Sequence, residues 1–272
     1  MRGTSIRRAR KSLKRIRAIL SLIQGGIDED AYVRMCRDCR EMGRCLGPLR
    51  DRDVVRSLLD RLADDAGDSQ DLSAIRLAAA VLEASEPTLV VRDHRAEEQI
   101  VAAVEGEATR VLQSLDTIVF DRVDRDLVLD QIERHWRRAS ARFHGDFRSG
   151  DTEWLHATRK RVIRAQLSLQ PLSKIRPASI RRSTKAVKHI ADLLGDDHDL
   201  AVLSGLIDAH RERMVEAGGV AAIELEIERR RAAMQNSSLL HGREVFEGSP
   251  EEMRERLRSW WRQAAKRDPG EG

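Results

Sequence analysis

Aromatic residues are scarce in this chain, with four Phe, four Trp and one Tyr among 272 residues. That supply cannot furnish a typical β-sandwich, and runs rich in Val, Thr and aromatics are few. No apolar run approaches the roughly 18–20 residues that span a bilayer. The first seventeen residues are basic and lead into no compact apolar stretch with a small-residue cleavage site, so no secretory signal is expected. Cysteine is nearly absent too. Cys36, Cys39 and Cys45 form an odd, clustered trio, which argues against a disulfide framework and for a reducing compartment. What these absences leave is a soluble, cytoplasmic, predominantly helical protein. At about 100–200 residues per domain, it is one large domain or two modest ones.

Charge is plentiful but segregated. Residues 1–17 hold eight cations and no acid, and residues 156–188 hold ten cations and no acid. Removing those eighteen from the 49 Lys and Arg leaves 31 against 45 acids, so the other 222 residues carry −14. Two positive islands in an acidic body repel themselves unless an anion is meant to sit between them.

Helical periodicity dominates. It predicts helices at about 4–24, 29–46, 50–67, 69–84, 91–115, 124–148, 151–170, 177–195, 197–217, 219–246 and 249–267. Breaks are expected at Gly47-Pro48, Pro87, Gly150, Pro171, Pro177, Gly195 and Pro250, among others. Asp151 and Ser249 read as N-caps, and Ser249-Pro250-Glu251-Glu252 as a capping box. One long-period repeat emerges. The run Leu46-Gly47-Pro48-Leu49-Arg50-Asp51-Arg52-Asp53-Val54 matches Leu194-Gly195-Asp196-Asp197-His198-Asp199-Leu200-Ala201-Val202 at an offset of 148. At the same offset Arg34, Arg37 and Arg40 fall on Arg182, Lys185 and Lys188, and at 149 Arg7-x-x-Arg10-Lys11 falls on His156-x-x-Arg159-Lys160. The expected organisation is a single domain over 1–272, built from a first helical repeat at about 4–120 and a second at about 150–267, joined through a helix at about 124–148.

With Arg7 as origin and 100° per residue, Arg10, Lys11, Lys14 and Arg17 fall at about −60°, +40°, −20° and −80°, one stripe opposite the apolar face of Ile6, Leu13 and Leu20. A solvated helix face usually mixes signs, because like charges four residues apart destabilise a helix. This face carries no acid. His156, Arg159, Lys160 and Arg164 share a face in the second repeat, and Arg182, Lys185 and Lys188 make a further stripe, as Arg34, Arg37 and Arg40 do in the first. If each pair of helices packs antiparallel, four basic stripes converge. Guanidinium forks and ammonium groups suit phosphate oxygens. No aromatic lies inside a stripe to stack bases, and no nucleic-acid-binding signature is present, so phosphate without bases is favoured over nucleic acid.

The His156-x-x-Arg159-Lys160 helix start, the paired Leu-Gly-x-x-(Arg/His)-Asp turns and the Val245-Phe246…Pro250…Trp260-Trp261 block resemble the CHAD family, the conserved histidine α-helical domain, from about residue 4 to 265. The resemblance implies an all-α fold of two pseudo-twofold-related four-helix bundles around a basic central groove or pore. It also implies binding of inorganic polyphosphate, association with polyphosphate granules, and a CYTH-type triphosphatase or granule proteins as partners. Carried over, the basic-helix positions are Arg7, Arg10, Lys11, Lys14 and Arg17, then His156, Arg159 and Lys160. Arg40 and Lys188 match the next helix of each half, and Arg50-Asp51 and His198-Asp199 match the turns. Arg7 stands where the family usually has a histidine. Ile163 and Gln166 occupy the equivalents of Lys14 and Arg17, which implies fewer phosphate contacts from the second half, with Arg164 as a substitute.

Other chemistry is weaker. His156 and His198 are the two of eight histidines in repeated positions, and Arg at both first-half equivalents argues against metal ligation, since Arg cannot ligate. Cys36-x-x-Cys39 lies in a helical tract without a preceding strand and reads as core. Asp51, Asp53, Asp197 and Asp199 could suggest carboxylate–magnesium catalysis, but read more simply as helix-start caps that also orient Arg50. Glu224-x-Glu226-x-Glu228 lacks the Lys and the strand of a triphosphatase. The reading is a non-enzymatic polyphosphate binder without cofactor or metal, its ligand held by Arg7, Arg10, Lys11, Lys14, Arg17, Arg37, Arg40, Arg50, His156, Arg159, Lys160, Arg164, Arg182, Lys185, Lys188 and His198. His156 acts either as a cation or as a neutral donor. Nucleic-acid or nucleoprotein binding is the main alternative, and a phosphohydrolase or phosphotransferase the second.

Overall fold

The computed structural model describes residues 2–65, 69–85, 94–174, 179–216 and 220–265. The helices in order are α1 (Arg2–Leu22), α2 (Glu29–Cys45), α3 (Gly47–Asp64), α4 (Ser69–Ser85), α5 (His94–Leu115), α6 (Arg125–His144), α7 (Thr152–Leu169), a 3-10 turn at Pro171–Lys174, α8 (Ser179–Ala209), α9 (Arg211–Glu216), α10 (Val220–Val245) and α11 (Pro250–Ala265). No strand occurs among the described residues, and the fold is all-α. None of the described helices is long and apolar enough to cross a membrane. The breaks expected at Pro87 and Pro177 lie outside the described residues.

Helix starts follow the sequence chemistry. Asp28, Asp124 and Asp151 each accept a hydrogen bond from the backbone N–H three residues on, which satisfies a donor that the helix itself leaves unpaired. Ser249 and Glu252 make the reciprocal pair of bonds of a capping box.

The break expected at Gly195 does not occur. α8 runs unbroken for 31 residues, from Ser179 to Ala209. At the repeat-equivalent position the chain does break, with Leu46 alone separating α2 from α3. The difference is Pro48. A proline inside a helix removes a backbone donor and clashes with the carbonyl four residues back, whereas a glycine costs only about 1 kcal/mol, which packing can offset. Here the packing comes from Leu194, Leu200 and Leu203, all essentially buried.

The apolar faces meet in three clusters. The first joins α6, α7, the first part of α8 and α11 through Trp136, Phe143, Val162, Ile190, Phe246 and Leu257. Trp136 and Phe143 pack on Phe246 with ring centroids 4.6 and 5.4 Å apart. The second draws on both sides of the expected join: Leu58 and Leu62 of α3 and Leu82 of α4 pack with Leu203 and Ile207 of α8 and Ile223 and Ile227 of α10. The third packs Ile6, Leu13 and Leu20 of α1 against Met35, Cys39 and Met42 of α2, with Val111 of α5. Cys36 and Cys39 are core residues, as their helical setting predicts. α1 also packs on α7, and this contact brings the two basic helices together.

Candidate functional site: a basic cleft between α1 and α7

Because α1 buries Leu13 and Leu20 against α2, its opposite face turns toward α7 and α8. Lys14 is solvent-exposed yet flanked on several sides by protein. Desolvation, and then the positive field of Arg159, Arg10 and Arg50, pushes its ammonium down to about 8; Asp199 acts in the opposite sense. Arg17 is lowered by burial, followed by its neighbours Arg40 and Arg164. Arg159 is lowered chiefly by burial; Arg50 and Arg10 lower it further, and Asp199 opposes them. Cations from α1, α2, α3 and α7 therefore share one field.

The two segments meet in corresponding ways. The guanidinium of Arg159 lies along α8 at Gly195, its Nη2 3.5 Å from where a Cβ would stand. Arg10 is placed in a similar way, with its Nη1 3.8 Å from the Cβ position at Gly47, and it also donates to the carbonyl of Gly43. Arg50 donates from Nη2 to both oxygens of Asp199, at 2.6 and 2.8 Å, and from Nη1 to Asp51 at 2.9 Å. This bidentate pair ties together residues 149 positions apart.

His156 and His198 stack with ring centroids 4.4 Å apart and planes 29° from parallel. Burial, then His198, Lys160 and Arg159, pushes the His156 imidazole down to about 4. His198 is lowered mainly by burial and by Arg159, with Asp199 opposing. The unliganded pair is therefore neutral near pH 7, where the sequence left His156 open between cation and neutral donor. Nδ1 of each ring and Nε of Arg159 are buried without a hydrogen-bond partner. Buried polar atoms are normally satisfied, so three such orphans at one place mark a site for an incoming acceptor or donor.

The four-stripe convergence expected from sequence is only partly realised. Arg10, Lys14, Arg17, Arg40, Arg50, His156, Arg159, Lys160, Arg164 and His198 share the cleft. Arg7 and Lys11 are exposed on α1. Arg37 is exposed and held by Asp38, and Arg34 lines a cavity of about 500 Å³ with Asp28, Asp38 and Glu107. On α8, Arg182 is exposed, while Lys185 and Lys188 line a separate cavity of about 650 Å³ with Arg15 and Arg181. Lys188 is ion-paired to Asp192. The periodicity of each stripe is right; which side chains of α2 and α8 reach the cleft depends on tertiary packing, which no single helix encodes. Arg15, at about +80° on the same wheel, was not singled out from the sequence, and its proximity to Arg181 could not be read from spacing.

The expected caps at the turns are also corrected. With α8 continuous, Asp197 and Asp199 start no helix. Asp197 accepts from Gln235 Nε2 at 2.6 Å and pairs with Arg231 at 3.1 Å, both on α10. α3 has no side-chain cap, and Asp51 instead accepts from Arg50. The orientation of Arg50 by these acids is as expected. Among the described residues no three His, Cys, Asp or Glu side chains gather where they could hold a metal ion.

An all-helical chain in which cations of α1, α2, α3 and α7 gather beside two stacked imidazoles and one Arg–Asp tie is the class that fold and geometry define. The chain belongs to the CHAD domain family, whose model matches residues 2–208. That match ends within α8 and leaves out α10 and α11, although both complete the cores that hold the cleft. No curated protein and no solved structure matches the chain.

Proposed function

We propose that the protein captures inorganic polyphosphate, without catalysis, in the cleft between α1 and α7. One observation carries this reading. Among the described residues, Lys14, Arg17, Arg40, Arg159, Lys160 and Arg164 have no carboxylate salt-bridge partner, although the surface elsewhere is laced with Arg–Asp and Arg–Glu pairs. Burial and neighbouring cations lower Lys14, Arg17 and Arg159, a costly arrangement that an anionic ligand relieves. The ligand's linear run of oxygens suits a row of guanidinium and ammonium groups. No Phe, Tyr or Trp lies within the basic stripes themselves, which disfavours single-stranded nucleic acid. Residence at polyphosphate granules, and a CYTH-type triphosphatase or granule protein as partner, are what the family resemblance implies and belong to the same proposal.

The test is titration with polyphosphates of defined length at several salt concentrations. Each phosphate engaged adds about 0.7–0.9 to the slope of log affinity against log salt, so the slope should steepen with chain length and level off once the cleft is filled. Charge reversal of Lys14 and Lys160 together, both exposed cations of the cleft, should abolish binding with melting nearly unchanged. Single-stranded RNA that competes equally per phosphate would favour nucleic-acid binding instead. Chain shortening on incubation with magnesium would make the protein a phosphohydrolase.

A further inference from the structure

The second basic cavity differs chemically from the cleft. Its volume is about 650 Å³, within the range of small-molecule sites. Arg15 of α1 and Lys185 of α8 stand at its walls, and neither makes an ion pair among the described residues; Arg181 and Lys188 add further positive charge. It also has an apolar part made by Ile19, Leu167 and Pro171. Ile19 is 48% exposed there, an unusual position for a large aliphatic side chain on a basic helix. A bare polyphosphate would leave that apolar surface wet.

The second observation is Gln166. It stands where the first repeat has Arg17, so this position has an amide in place of a cation, and that amide lines the cavity. It makes no hydrogen bond among the described residues although it is only 8% exposed. Thr184, also in the wall, has a hydroxyl oxygen buried without a partner. An amide offers a donor and an acceptor side by side, the pattern that matches the edge of a nucleobase. We propose that this cavity is a nucleotide site, taking a nucleoside polyphosphate with its base against Ile19, Leu167 and Pro171, its base edge on Gln166 and its phosphates on Arg15, Arg181 and Lys185. The site is independent of polyphosphate capture in the cleft, which can fail without touching it.

Titration calorimetry of the full chain with ATP and with inorganic tripolyphosphate tests the proposal. The two probes have three phosphates each, and only ATP has a base. Ile19→Asn and Gln166→Leu should each weaken ATP about tenfold while leaving tripolyphosphate within about twofold. Both variants should melt like the parent, since Ile19 is half-exposed and Leu matches Gln in size. Thr184→Val supplies a further variant of nearly constant volume. ATP affinity unchanged in both Ile19→Asn and Gln166→Leu, equal losses for ATP and tripolyphosphate, or no ATP binding by the parent chain would each overturn the assignment.

Discussion

Lys14 offers the sharpest test of the cleft, and the perturbation is pH. With its ammonium near pH 8, about nine-tenths of the unliganded molecules carry the charge at pH 7 and about one-tenth at pH 9. A bound phosphate holds Lys14 protonated, so binding above its free pKa takes up a proton, and affinity falls with pH until the pKa of the complex is reached. For a single such group the loss between pH 7 and pH 9 is about tenfold. His156, at about 4, is already neutral across this window and contributes nothing to the slope. Polyphosphate affinity measured from pH 6.5 to 9.5 should show this loss, together with a binding enthalpy that depends on the buffer's ionisation heat. Lys14→Arg keeps its cation throughout and should flatten the profile. Stability of the unliganded protein should move the other way. An unfolded Lys titrates near 10.4, so between about 8 and 10.4 the unfolded chain binds more protons, and raising pH there stabilises the fold. A flat affinity profile for the parent, or an equal slope in Lys14→Arg, would refute the assignment of Lys14 to the ligand path.

The Arg50–Asp199 tie separates stability from binding. Arg50→Ala strands a largely buried carboxylate and should cost about 2 kcal/mol in denaturant unfolding, whereas Asp199→Asn should lower the melting temperature yet tighten polyphosphate, because it removes the acid nearest the cations. Two glycines on long helices should respond oppositely to alanine. A Cβ at Gly195 meets Arg159 at an ordinary 3.5 Å, so Gly195→Ala should gain about 0.5–1 kcal/mol of helix stability; a Cβ at Gly242 would sit 2.2 Å from the Phe143 ring, so Gly242→Ala should lose about 1–3 kcal/mol, both read by denaturant unfolding. Of the three thiols, exposed Cys45 should react rapidly with a disulfide reagent at pH 8, while Cys39, pushed up to about 11 by burial and by Cys36, should react only on unfolding.

Helix content and the α1–α7 pairing were legible because they rest on local signals: apolar periodicity, aspartate and serine caps, and a sign-pure stripe repeated at a fixed offset. Gly195 misled because glycine's helix cost is small and its neighbours are core leucines; Pro48, at the matching place, carries a steric veto and does break the chain. Asp197 and Asp199 misled for the same reason. Once no helix begins at Asp197 and Asp199, their carboxylates turn to α10 and to Arg50. The neutral state of His156 needed distances, since it arises from burial and from Arg159 and Lys160 acting together. Lys185 was read as part of a stripe converging on the cleft, but it lines a separate cavity that opens only where α1 meets the turn after α7.

The unbroken course of α8 has a consequence for how this molecule comes apart. At 31 residues, or about 46 Å at 1.5 Å per residue, it lends Ile190 and Leu194 to one core and Leu203 and Ile207 to another. Neither core can melt while the other keeps its share of that rod, so heat should take both in a single calorimetric peak. The amides between Leu194 and Leu203 would be the last to exchange with deuterium. The tandem imidazole and carboxylate at 198 and 199 ride on that stretch, so the proposed ligand's seat would open only with the whole protein.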